Sequence, residues 1–317
     1  MPAFTRPDVI VLAGGGTLGE AWMTGLLAGV EDAAGLDLRE SECFVGTSAG
    51  SIVAARLAAG ALLRRPRSVA PALDPGSPPA SPATDLVGPA AAYAEAGALD
   101  WIERTAGSIL APIIGPAMRL ERLPGELVRR AILSVLPDGT RSLADLERAI
   151  DRDHARFDGR LRIVGVDRAS GRRVVFGAPG APPATVARAV VASCSIPAFF
   201  RPIEIAGRAY VDGGVWSMTN LDVAPAGRRT ELLCLNPMRG LPVATISRLG
   251  VVSRVVRSRE SVELAVVRGR GARVRLIGPA PEAARLMAPS LMDPGPREAV
   301  LHAGYAQGQA LGRVRRP

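Results

Sequence analysis

The sequence predicts an α/β protein, a largely parallel sheet held between layers of helices. Three observations predict it. An apolar stretch at residues 9–13 runs into a glycine-rich loop and then into a helical pattern. A second apolar stretch, residues 43–45, runs into another glycine-bearing turn and another helical pattern. Farther on, short β-branched stretches keep alternating with periodic helical ones, as they do when helices cover both faces of a sheet.

Residues 9–13 read as a short buried strand. A helix is expected from about Gly19 to Ala34, with Trp22, Leu26, Leu27 and Val30 on one stripe. After the second strand, residues 49–59 read as a helix whose inner face is Ile52, Val53, Ala55 and Ala59. Composition then changes: residues 64–97 are rich in Pro, Ala, Gly and Ser, as in a flexible linker or insertion. Helical pieces broken at Pro112, Pro116 and Pro124 follow up to residue 136. Residues 62–136 are therefore expected to form a lid or cap inserted in a single domain spanning 1–317. Ser142 reads as the N-cap of a helix. Residues 161–166 and 172–176 form a predicted hairpin across Ser170 and Gly171, and residues 186–193 a helix. A second hairpin, 203–205 with 209–211, turns at Gly207 and delivers Asp212. A buried strand at 231–235, an amphipathic helix at 248–268, a strand at 273–277 and a closing helix at 297–312 complete the chain. There is no internal repeat.

The chain has 317 residues, 48% of them hydrophobic and only 4% aromatic, so Ala, Val, Leu and Ile must build the core. The formal charge is +9, and all 39 basic residues are arginine. Few aromatics and no recognisable nucleic-acid module argue against a nucleic-acid partner. Arginine pairs well with phosphate, so an anionic membrane surface is the partner that the charge allows, beside the alternative of plainly solvated charge. The arginines and apolar residues of 248–268 offer the same choice between a membrane-resting helix and one whose apolar stripe faces the core. Cys43, Cys194 and Cys234 sit in apolar stretches without a C-x-x-C pair, as buried thiols in a reducing compartment do. With no apolar leader at the N-terminus and no membrane-length apolar run, a cytoplasmic location is expected, with peripheral membrane contact as the alternative.

Three motifs carry chemistry. Gly46-Thr47-Ser48-Ala49-Gly50 lies where a strand meets a helix. That arrangement holds a serine on a strained turn with its hydroxyl exposed to a substrate. A serine needs a base. The chain has two histidines, His154 in a charged helix end and His302 within a helical pattern, and neither is well placed as the base. Asp212, followed by Gly213 and Gly214, is the other choice; desolvation and contact with the serine would raise its basicity. The third motif, Gly14-Gly15-Gly16-Thr17-Leu18-Gly19, places successive amides at a helix start, where Gly15 and Gly16 can donate to an oxyanion. The same string fits a dinucleotide fingerprint, with Asp37 or Glu40 as the ribose ligand, but that reading leaves the other two motifs unexplained.

Together these motifs resemble the patatin-like phospholipases, whose pattern is a glycine-rich oxyanion loop, then Gly-x-Ser-x-Gly, then Asp-Gly-Gly. The resemblance extends to residues 192–202 and to the stretch from Asp212 to Asn220, and covers residues 8–60 and 160–236. It implies a three-layer α/β/α sandwich and a Ser48–Asp212 dyad without histidine. It also implies an oxyanion hole at Gly15 and Gly16, supported by Gly14, Gly19, Gly46, Gly50, Gly213 and Gly214. The implied activity is hydrolysis of a lipid or other carboxylic ester, with no metal or cofactor. Leu18 stands where the family has Arg or Lys, which favours a neutral-lipid, ester or thioester substrate. A non-catalytic lipid-binding protein on the same fold is the alternative.

Overall fold

The computed structural model describes residues 4–68, 125–241 and 250–313. Its eight strands are β1 (Val9–Leu12), β2 (Cys43–Thr47), β3 (Leu161–Asp167), β4 (Arg173–Phe176), β5 (Ile203–Ile205), β6 (Arg208–Asp212), β7 (Glu231–Leu235) and β8 (Arg273–Ile277). The helices are α1 (Gly16–Ala34), α2 (Ala49–Ala58), α3 (Gly125–Val135), α4 (Ala144–Arg152), α5 (Val186–Cys194), α6 (Gly250–Gly269), α7 (Pro281–Met287) and α8 (Arg297–Gly312). The elements expected within the described residues are present, with two shifts at helix starts. Helix α1 starts at Gly16 rather than Gly19, because the glycine loop supplies its first turn. The Ser142 hydroxyl accepts the Ala144 N–H at 3.2 Å, yet Leu143 occupies the N-cap of α4.

Strands pair in the order β5-β6-β3-β2-β1-β7-β8, and β4 also pairs with β3. The β3–β2–β1–β7–β8 run is parallel, and the β3–β4, β3–β6 and β5–β6 pairs are antiparallel. Alternating side chains along the strands divide the core in two. Ile10, Leu12, Phe44, Ile163 and Tyr210 face the larger cluster, with α1, α2, α5 and α8. Val9, Val11, Val45 and Val164 face the smaller one, with Leu221 and Val267 of α6. Helices thus cover both faces, giving the three-layer sandwich.

Two features of this frame position the site. First, α1 and α8 pack backbone to backbone. A Cβ on Gly25 or Gly29 would come within 2.1 Å of the Leu301 or Tyr305 carbonyl oxygen. Second, β2 and β6 share one edge of β3. Ile163 and Val164 pair with both β2 and β4, while Gly165 and Val166 pair with both β4 and β6. A residue has one neighbour per edge, so β4 holds one edge of β3, and β2 and β6 hold the other. Strand β2 runs parallel to β3 and β6 antiparallel, so they point at each other. They end at Thr47 opposite Val164 and Asp212 opposite Gly165.

Of the expected lid, residues 69–124 lie outside the described residues. Its last piece, α3, buries Leu133 against Val166 and Val211. In α6, Val267 and Glu263 are buried while Val262 and Val266 are exposed, so the described part of the apolar stripe divides between core and solvent. No described helix is long and apolar enough to cross a membrane.

Candidate active site

Strands β1, β2 and β7 are adjacent and parallel, so the turns after Leu12, Thr47 and Leu235 open at one end of the sheet, where α/β folds bind ligands. The glycine loop and Ser48 are therefore neighbours. A Cβ on Gly14 would lie 3.4 Å from the Ser48 Cβ.

Ser48 has φ 50° and ψ −125°, a conformation few non-glycine residues adopt. Such strain, on the order of 1–3 kcal/mol, persists where the surroundings over-determine it. Here both backbone groups of Ser48 are held. Its N–H donates to the Ser193 Oγ at 2.8 Å, and its carbonyl accepts the Ser51 N–H at 2.8 Å and the Ser51 hydroxyl at 2.6 Å. Ser193, fully buried, in turn donates its hydroxyl hydrogen bond to the Val164 carbonyl at 2.6 Å. The glycines of the motif leave room for this turn. A Cβ on Gly50 would lie 2.0 Å from the Leu12 carbonyl oxygen, so α2 can start hard against β1 only with glycine there.

Asp212 is buried at the end of β6. Its Oδ1 accepts the Gly214 N–H at 2.6 Å, and the Ser48 hydroxyl lies near enough to favour its charged form. Burial raises its pKa from 3.8 to about 7, against the opposing pull of those two donors. The register of β2 and β6 on β3 brings the two groups together from 164 residues apart in sequence. Asn220 locks the junction, with Nδ2 donating to the Thr47 Oγ1 at 3.1 Å and to the Ser217 carbonyl at 2.5 Å.

In the glycine loop, the Gly14 N–H is committed to the Met218 carbonyl at 2.9 Å. The Gly15 and Gly16 N–H groups have no acceptor among the described residues and stand at the start of α1, whose dipole favours an anion there. Gly16 has φ 61°, which glycine adopts without strain. Leu18, where a cation was the family expectation, is fully buried, and its N–H donates to the Leu291 carbonyl at 2.9 Å.

The rival readings find no support in this geometry. His154 and His302 are exposed and make no hydrogen bond to Ser48 or Asp212. Asp37 and Glu40 precede β2 and so lie at the end of the sheet away from the glycine loop, ion-paired with Arg39 and Arg6. Among the described residues no group of three His, Cys, Asp or Glu side chains converges as a metal site would.

Three contributors escaped the sequence reading. Ser193 anchors the Ser48 turn. Cys194, buried with its thiol pKa pushed up by desolvation and then by Asp212, lies 3.9 Å from the Ser51 hydroxyl and within reach of Ser48. Met218 joins the glycine loop to the Asp-Gly-Gly turn. Residues 192–202 and 212–220 were visible as family-like stretches, but nothing in their pattern said which side chain touches Ser48.

A family model of patatin-like phospholipases matches residues 10–225. The chain belongs to the patatin-like phospholipase family. That match contains the glycine loop, Ser48 and Asp212, and it places the chain in a family of lipid acyl hydrolases. The crystal structure of VipD from Legionella pneumophila is similar with a TM-score of 0.42 and 15% identity, covering 98% of this chain and 67% of that one. No curated protein matches.

One prediction arises from the anchoring of Ser48. Ser193→Ala leaves a buried N–H and a buried carbonyl without their partner, at a cost of about 1–3 kcal/mol. Urea unfolding is expected to show that loss. Ester turnover is expected to fall about tenfold or more as the Ser48 turn loses its anchor. Unchanged turnover would mean that the elbow holds itself.

Proposed function

We propose that this patatin-like chain is a serine-dependent lipid acyl hydrolase acting through a Ser48–Asp212 dyad. One observation carries the reading: a serine hydroxyl on a strained strand–helix turn meets a buried carboxylate whose pKa of about 7 suits a general base near neutrality. The Ser48 Oγ attacks the ester carbonyl carbon and passes its proton to Asp212. The N–H groups of Gly15 and Gly16 hold the oxyanion of the tetrahedral intermediate, each such donor contributing about 2.7–4 kcal/mol. The C–O bond to the alcohol breaks, Asp212 protonates the departing alcohol, and the acyl group stays on Ser48. Water then attacks the acyl-enzyme, giving its proton to Asp212, and the Ser48 oxygen leaves as the hydroxyl. Every proton step in this scheme uses the one carboxyl. The substrate is a lipid or other carboxylic ester, and with Leu18 in the loop no cation from that position faces it.

The base must be ionised to act. The kcat/KM for a p-nitrophenyl ester is therefore expected to rise with pH through about 7 and level off above it. A fluorophosphonate probe is expected to label Ser48 with the same pH dependence. A folded protein that takes no label at pH 8 would instead be a non-catalytic member of the family.

A further inference from the structure

Trp216, four residues beyond Asp212, lies across the sheet from α2 and α5, against Leu133, Val166 and Val211. Three arginines surround its ring: Arg129 of α3 at 3.8 Å from the centroid, Arg173 of β4 at 5.0 Å and Arg259 of α6 at 5.2 Å. They come from three separate elements, so the fold gathers them.

Arg173 is neutralised, forking onto Asp222 at 2.6 and 2.7 Å. The other two are not. Arg129 is nine-tenths buried; its Nε donates to the Gly171 carbonyl at 3.1 Å, and its two Nη groups have no partner among the described residues. Arg259 has neither an ion pair nor a hydrogen bond among the described residues. Two of the nearby acids are taken. Glu126 is held by Arg172 at 2.7 Å, and Asp222 by Arg173. Glu263 shares with Arg259 and Trp216 the lining of a groove of about 360 Å³; its Oε2 accepts from the Thr219 hydroxyl and the Leu221 N–H, and its Oε1 is buried without a partner among the described residues. Burial holds its carboxyl above the usual range.

The two unpaired guanidiniums converge. A Cβ on Gly125 would meet the Arg129 Nη1 at 3.2 Å and the Arg259 Nη2 at 3.4 Å. Burial, then Arg259, push the Arg129 pKa down to about 10. Like charges brought together out of water are costly without an anion between them, and the arginine fork matches phosphate oxygens.

We propose that Arg129 and Arg259, at the start of α3 beside Trp216, bind a phosphate group, whether of a lipid headgroup or of a free phosphate ion. The site is separate from Ser48 and does not rest on the hydrolase reading.

The test uses the full chain at constant ionic strength. Inorganic phosphate is titrated by calorimetry and by tryptophan fluorescence. In parallel, sedimentation measures binding to phosphatidylcholine vesicles with and without phosphatidic acid. Saturable phosphate binding without vesicle binding assigns the site to the free ion. Vesicle binding that requires phosphatidic acid and is displaced by phosphate assigns it to a headgroup. In either case Arg259→Gln, a partly exposed position, is expected to weaken binding about tenfold or more. Arg129→Gln, checked for folding by circular dichroism, is expected to do the same. No binding in either arm, or binding that both variants retain in full, overturns the proposal.

Discussion

Replacing Ser48 with alanine is expected to cut ester turnover at least about 10³-fold and to abolish fluorophosphonate labelling. The size follows from the chemistry. Without the Oγ there is no acyl-enzyme, and only the oxyanion donors and substrate binding remain to assist direct attack by water. The fold should survive, because the strained turn is held through backbone atoms that alanine retains. The N–H still meets Ser193, and the carbonyl still meets Ser51. Circular dichroism should match the parent. Turnover within tenfold of the parent, in protein free of contaminating esterase, would remove Ser48 from the mechanism.

Asp212→Asn carries the second large effect, and it acts in two directions. Asparagine keeps the shape and can still accept the Gly214 N–H, but it cannot take a proton from Ser48. Turnover should fall on the order of 10³–10⁴-fold. Stability should rise, and by an amount that depends on pH. The folded carboxyl has a pKa of about 7, above its unfolded value of about 3.9. Between those values the folded state keeps a proton that the unfolded state has lost, so stability declines as pH rises from 4 to 7. Above 7 the full cost of a buried carboxylate applies, on the order of 4 kcal/mol for three pH units. The asparagine variant escapes this cost. Urea unfolding should therefore show its advantage widening by about 2–3 kcal/mol between pH 5 and pH 8. An advantage independent of pH would mean that Asp212 is not the buried, perturbed group described. The base would then be paid for elsewhere in the fold.

Much of this could be read from the chain before it was folded. Residues 9–12 and 43–45 are continuous apolar runs, as strands buried on both faces are. Each is followed by glycines, which mark where backbone must pass close to backbone, as Gly50 does at Leu12. The closing helix, 297–312, was legible to the residue from its apolar period. The start of α1 was not. A loop of three glycines has no side-chain signal to say which residue takes the first helical turn. Ser193 was illegible for another reason: a buried serine in an apolar helix looks the same whether it bonds its own helix or a turn 145 residues away.

The sequence by itself determined the chemistry on offer: one serine at a strand–helix turn, one aspartate before two glycines, amides without side chains at a helix start, and two histidines too poorly placed to serve. Those are local properties, fixed by residue type and spacing. Only the tertiary structure decided that the groups meet. Strands β2 and β6 approach along one edge of β3 from opposite directions, and that register sets Ser48 against Asp212 and takes the carboxylate out of water. Burial and long-range register depend on every strand at once, so no short stretch of sequence contains them.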